Sequence, residues 1–63
     1  MQEKLREQVK IMKAINGDII TYKEVAEYLE ISINGFYNWL NGAYNLSYNK
    51  QKKLEELVSN MLT

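Results

Sequence analysis

The stretch from Thr21 to Gly42, TYKEVAEYLEISINGFYNWLNG, constrains this chain more than any other part of it. It predicts a short helix, a tight turn through Glu30 and Ile31, and a second short helix opened by Ser32. Val25, Ala26, Leu29, Ile31, Phe36, Trp39 and Leu40 fall where two steeply crossing helices have to touch. The small side chain of Ala26 has a physical reason, because a larger one would push the neighbouring helix away. Thr21 and Glu24 form the capping box T-x-x-E, in which each side chain satisfies the other residue's backbone N–H. Ser32 is the matching N-cap of the second helix.

The flanks extend the helical pattern. Leu5, Val9, Met12 and Ile15 recur at helical spacing, with Ile11 widening the stripe, so a helix is expected over about residues 2–15. Asn16 and Gly17 end it, the glycine being able to take the left-handed conformation. The two central helices are expected at about 22–29 and 33–40, the latter stopped by Asn41 and Gly42. After the loop AYNLS, Ser47 caps a helix of about 48–62 carrying Leu54, Leu57, Val58 and Met61 on one face. No segment alternates with period two, and there is no proline, repeat or low-complexity tract. The expected fold class is all-α, a compact bundle of four or five short helices in a single domain over residues 1–63.

Composition narrows function. A domain of 63 residues buries a modest fraction of its surface, so pairing with a second copy would help it. Apolar residues make up 46% of the chain, enough for one core and too many for a disordered tail. There is no cysteine and no histidine, which rules out disulfide staples, cysteine metal sites and histidine acid-base chemistry. With Asp18 the only aspartate and no glycine-rich phosphate loop, neither an enzyme nor a metal, cofactor or small-molecule ligand is expected. No apolar run approaches the roughly 18 residues of a membrane span. The N-terminal MQEKLREQ is charged with no apolar segment behind it, so no secretory signal is expected and a cytoplasmic setting is the natural one.

The central pattern is that of a helix-turn-helix unit, whose second helix is shaped for the major groove of DNA. The sequence resembles the helix-turn-helix domains of phage repressors, Cro proteins and related bacterial regulators. The matching residues are TYKEVAEYLEIS from Thr21 to Ser32, FYNWLNG from Phe36 to Gly42, and the closing LSYNKQKKLEELV. The leading helix fits the family's first helix, so the resemblance covers nearly the whole chain. It implies a lambda-repressor-like bundle, a small transcriptional regulator working in a bacterial or phage-infected cell, and a double-stranded DNA operator. Three positions depart from the family. Tyr22 stands where the family usually has a glutamine that contacts a phosphate and braces the recognition helix. Glu30 stands where the turn usually has glycine, and a left-handed Glu30 costs on the order of 1 kcal/mol. Gly35 occupies a mid-helix site, at a cost of roughly 1 kcal/mol relative to Ala.

With the third helix in the major groove, its base-reading face comprises Ser32, Ile33, Asn34, Tyr37, Asn38 and Asn41. This face has no Arg or Lys. Asn34 and Asn38 each carry a donor and an acceptor and can bond adenine at two atoms, while Ile33 can touch a thymine methyl, so an A·T-rich site is expected. Phosphate contacts are expected from Tyr22, Lys23, Tyr44, Asn45, Asn49, Lys50 and Lys53. One helix reads only a few base pairs, so a homodimer on a palindrome is expected, with recognition helices roughly 34 Å apart. Tyr28, Tyr44, Tyr48, Met61 and Leu62 are candidates for the dimer surface.

The charge balance pulls the other way. Eight basic and eight acidic residues give a formal net charge of zero, whereas duplex binding draws on neutralised phosphates. The alternative is a helix-turn-helix-shaped protein-binding module, an antirepressor or adaptor that leaves DNA alone. A place as one domain of a longer regulator is equally compatible with the sequence.

Overall fold

In the computed structural model, which describes residues 2–62, four helices follow one another: α1 (Glu3–Asn16), α2 (Tyr22–Tyr28), α3 (Ile33–Leu40) and α4 (Tyr48–Leu62). The described residues contain no strand, and the fold is an all-helical bundle. No helix is long and apolar enough to cross a membrane.

α1 lies along α4 and α2 packs on α3. Two hydrogen bonds fix the direction of the first pair. The Gln2 side-chain amide donates to Gln51 Oε1 at 3.0 Å, and Asn16 Nδ2 donates to the Met61 carbonyl at 3.2 Å. Start therefore meets start and end meets end, so α1 and α4 run parallel. Trp39 and Phe36 sit at the centre, fully buried, among Val9, Met12, Val25, Leu29 and Leu54. Fully burying side chains of this kind contributes about 1.5–3 kcal/mol each, the main favourable term for so small a chain.

The helix ends of the central unit are closed by the same device. At the end of α2, the Glu30 N–H donates to the Glu27 carbonyl and the Ile31 N–H to the Ala26 carbonyl, each at 3.0 Å. At the end of α3, the Gly42 N–H donates to the Trp39 carbonyl and the Ala43 N–H to the Asn38 carbonyl, each at 2.9 Å. These paired bonds are Schellman motifs, which need one left-handed residue just past the helix. Gly42 supplies it at φ 91° without strain; Glu30 supplies it at φ 60° despite its Cβ. The N-termini are capped as the sequence implies. Glu24 N–H donates to Thr21 Oγ1, Thr21 N–H donates to Glu24 Oε1, and Gly35 N–H donates to Ser32 Oγ. The Ser47 hydroxyl accepts from Lys50 N–H only at a long 3.4 Å.

Two expectations are corrected. Ile11 and Ile15 do not complete the buried stripe of α1 and stand 46% and 69% exposed. They lie off the side of α1 that carries the buried Leu5, Val9 and Met12. Gly17 is right-handed at φ −60°, not left-handed. The chain leaves α1 by a further turn in which the Asn16 carbonyl accepts from both Ile19 and Ile20 N–H groups. Ile31, Leu57 and Met61 do face the core, as their spacing implies, and are partly buried against it.

Candidate nucleic-acid interface

α3 is an eight-residue helix of uncharged side chains, INGFYNWL. At 1.5 Å per residue it is about 12 Å long, close to the width of the DNA major groove. Phe36, Trp39 and Leu40 bury one side of it. Asn34, Tyr37 and Asn38, spaced i, i+3, i+4, are exposed on the other, and Asn41 is exposed just beyond the last turn. Ser32 is exposed too, with its hydroxyl oxygen accepting the Gly35 N–H at 2.9 Å. Ile33 differs from its expected outward placement. It is half-buried against the core, with only part of its side chain exposed.

The orientation of this face is set from the far end of the chain. Arg6, on α1, is buried. Its Nε donates to the Trp39 carbonyl, and one terminal nitrogen donates to the Tyr44 carbonyl at 2.8 Å and to Asn45 Oδ1 at 3.3 Å. The guanidinium lies 5.2 Å from the centre of the Trp39 ring. A cation bonded to a carbonyl in the last turn of a helix complements both the orphan acceptors and the negative end of the macrodipole. Gln2 does the same for the indole and the following loop. Its Oε1 accepts from Trp39 Nε1 at 2.6 Å and from Leu46 N–H at 2.9 Å, and its Nε2 donates to the Leu46 carbonyl at 3.2 Å. With Gln51 added, both donors and both acceptor sites of the Gln2 amide are used. No buried side-chain nitrogen or oxygen among the described residues lacks a partner.

Two aromatic groups brace α3 from its flanks. The Tyr22 ring packs 5.5 Å from the Phe36 ring and meets Tyr37 edge-on at 5.8 Å. Partial burial, and then the neighbouring Tyr37, push the Tyr22 phenol above its ordinary value of 10.0. The Tyr44 hydroxyl donates to the Gly35 carbonyl at 2.7 Å. A Cβ at Gly35 would lie 3.0 Å from Ser32 Oγ and 3.4 Å from that hydroxyl. The mid-helix glycine therefore leaves room for the N-cap and the tyrosine strut together.

The expected phosphate contacts divide into two groups. Lys53 is engaged inside the fold: its Nζ donates to the Tyr28 carbonyl at 3.0 Å, sits 4.9 Å from the Tyr28 ring centre and lies 4.0 Å from the Glu30 carboxylate. It ties α4 to the end of α2. The Tyr44 hydroxyl proton is likewise taken, and a phosphate, having only acceptors, competes for it with Gly35. Asn45 accepts from Arg6. Among the described residues, the ammonium groups of Lys23 and Lys50 have no hydrogen-bond or ion-pair partner, and Asn49 is exposed.

Gln2, Arg6 and Leu46, which fix α3 and the loop after it, lie outside the motifs of the sequence. A signal for the first two exists: they continue the Leu5–Val9–Met12 stripe of α1 at helical spacing, and a buried Trp needs an acceptor for its N–H. Among the described residues no group of three or more acidic, His or Cys side chains could hold a metal ion. A groove of about 700 Å³ runs between α1 and α4, with no α3 residue in its lining. No protein-family model, no curated protein and no solved structure matches this chain.

Proposed function

We propose that this chain binds double-stranded DNA sequence-specifically, as a small transcriptional regulator of the repressor or Cro type, with α3 in the major groove. The observation that carries the reading is the exposed amide face of Asn34 and Asn38 with Tyr37 between them, on a helix whose opposite side is buried and whose two ends are fixed. A helix held at both ends can present side chains to base edges without having to order itself on binding. The asparagine amides bond adenine N6 and N7, Tyr37 reaches a base edge or a phosphate, and Lys23, Lys50 and Asn49 grip the backbone.

Lys53 and Tyr44 are engaged internally, so Lys23, Lys50 and Asn49 are the phosphate contacts of this reading. The proposal accordingly rests on few charged contacts, and each one lost lowers the salt dependence by about one phosphate. The uncharged α3 favours a second reading, a protein-binding module that presents the same face to another protein. One titration separates the two. The purified chain is bound to nonspecific duplex at low salt and the salt is raised. A DNA reader is retained and then released with a log–log slope of about −2, as two lysine–phosphate contacts give, while an adaptor shows no retention. Selection from random duplexes then tests specificity: A·T-rich half-sites are expected, and G·C-rich half-sites would overturn the assignment of Asn34 and Asn38 as readers.

A further inference from the structure

Given the DNA reading above, on which this step rests, we infer that Lys13 at the end of α1 grips a phosphate at the flank of α3, held in place by the Tyr22 ring. Lys13 Nζ lies 5.8 Å from the centre of that ring. The ring in turn meets Tyr37 edge-on at 5.8 Å, and Tyr37 is exposed between Asn34 and Asn38. One aromatic ring therefore separates the ammonium from the exposed side of α3. A helix about 10–12 Å in diameter fills a major groove about 12 Å wide. The bases are left to the side chains on its exposed face, and a group standing beside that face meets the sugar-phosphate rows.

The ammonium is available for that contact. Among the described residues three lysines lie over a tyrosine ring: Lys13, Lys52 and Lys53. Lys52 also faces the Glu55 carboxylate at 3.6 Å, and Lys53 donates to the Tyr28 carbonyl. Lys13 has no hydrogen-bond or ion-pair partner among the described residues. A ring face attracts the charge from one side and leaves N–H donors on the other for phosphate oxygens. Gly17 keeps the approach open. Its backbone is right-handed at φ −60°, so conformation alone does not call for glycine. A Cβ there would lie 2.9 Å from the Lys13 carbonyl oxygen and 3.4 Å from Lys13 Nζ. Any larger residue would have to shift the end of α1 that carries this lysine. Neither feature is visible in the spacing of the sequence, since both depend on how α1 docks beside the start of α2.

The test is retention on a nonspecific duplex as salt is raised, for the parent and three variants. Lys23 and Lys50 alone give a log–log slope of about −2, and Lys13 brings it to about −3. Lys13→Gln is expected to return the slope to about −2 with unchanged helical circular dichroism, and Lys13→Arg to keep the parent's slope. Lys4→Gln makes the same change of charge on the same helix, but in the groove that no α3 residue lines, and is expected to keep the parent's slope as well. A merely structural role for Lys13 would lower affinity and leave the slope alone. A parent that the duplex does not retain overturns this inference together with the DNA reading. A retained parent whose slope Lys13→Gln leaves unchanged, or an equal fall in slope with Lys4→Gln, overturns this inference and leaves the DNA reading standing.

Discussion

The indole N–H of Trp39 donates to the side-chain oxygen of Gln2 across 2.6 Å, linking a residue at the start of the chain to the last turn of α3. The same oxygen takes the Leu46 N–H, so one amide orients both the helix that presents the candidate reading face and the loop that leaves it. Replacing Gln2 by Ala strips partners from Trp39, from both main-chain groups of Leu46 and from Gln51. A loss of roughly 2–3 kcal/mol is expected in urea unfolding, a large fraction of the stability of so small a domain. An Ala variant as stable as the parent would show that the network is dispensable.

Arg6→Lys retains the positive charge and loses the fork that reaches the Trp39 and Tyr44 carbonyls together. We expect a cost of about 1–2 kcal/mol and faster hydrogen exchange across residues 39–46. Exchange rates equal to the parent's would mean that a single ammonium suffices to close α3.

Glu30→Gly removes the Cβ from a left-handed position at φ 60°. Its carboxylate is 80% exposed and 4.0 Å from Lys53, a contact of little energetic weight. The variant is expected to gain up to about 1 kcal/mol, less whatever extra freedom glycine confers on the unfolded chain. Thermal unfolding measures it, and a destabilised variant would show that the left-handed Glu30 carries less strain than glycine's extra unfolded-state freedom and the Lys53 contact together offset.

Lys50 and Lys53 should separate cleanly. Lys50→Ala is expected to leave folding intact and lower the slope of log affinity against log salt by about 1. Lys53→Met is expected to cost about 0.5–1.5 kcal/mol of stability through the lost bond to the Tyr28 carbonyl, with an unchanged salt slope. Asn38→Ala should act on neither quantity, but should erase discrimination at one base pair by about 1–3 kcal/mol.

Above neutral pH, Tyr22 makes a prediction with a definite sign. Its phenol is pushed up by burial and by Tyr37, so the folded state holds the proton more tightly than the unfolded chain does. The stability this contributes is complete below the unfolded value of about 10 and is lost as pH rises through the higher folded value. Urea midpoints of the parent should therefore fall more steeply than those of Tyr22→Phe above pH ~10 and run parallel to them below it. Parallel curves at every pH would sink the assignment.

Local chemistry made the helices and their ends readable. The capping box at Thr21, the Ser32 cap and the Asn-Gly stop of α3 need only neighbours in sequence, and the structure has all of them. The inward set of Val25, Ala26, Leu29, Phe36, Trp39 and Leu40 follows from helical spacing, and all six are buried. The same spacing misled at Ile11 and Ile15, because periodicity says which residues share a face and leaves open whether anything covers it.

What the sequence determined alone is thus the all-helical class, the α2–turn–α3 unit and the outward placement of Asn34, Tyr37 and Asn38, since each depends on contacts within a few residues. Tertiary structure decided which polar groups are structural. Gln2 and Arg6 reach Trp39 across sequence separations of 37 and 33 residues. Lys53 reaches the end of α2 across 25. Hydrogen bonds at such separations exist only once the helices have docked, because packing fixes the distance between donor and acceptor, whereas the chain between them does not.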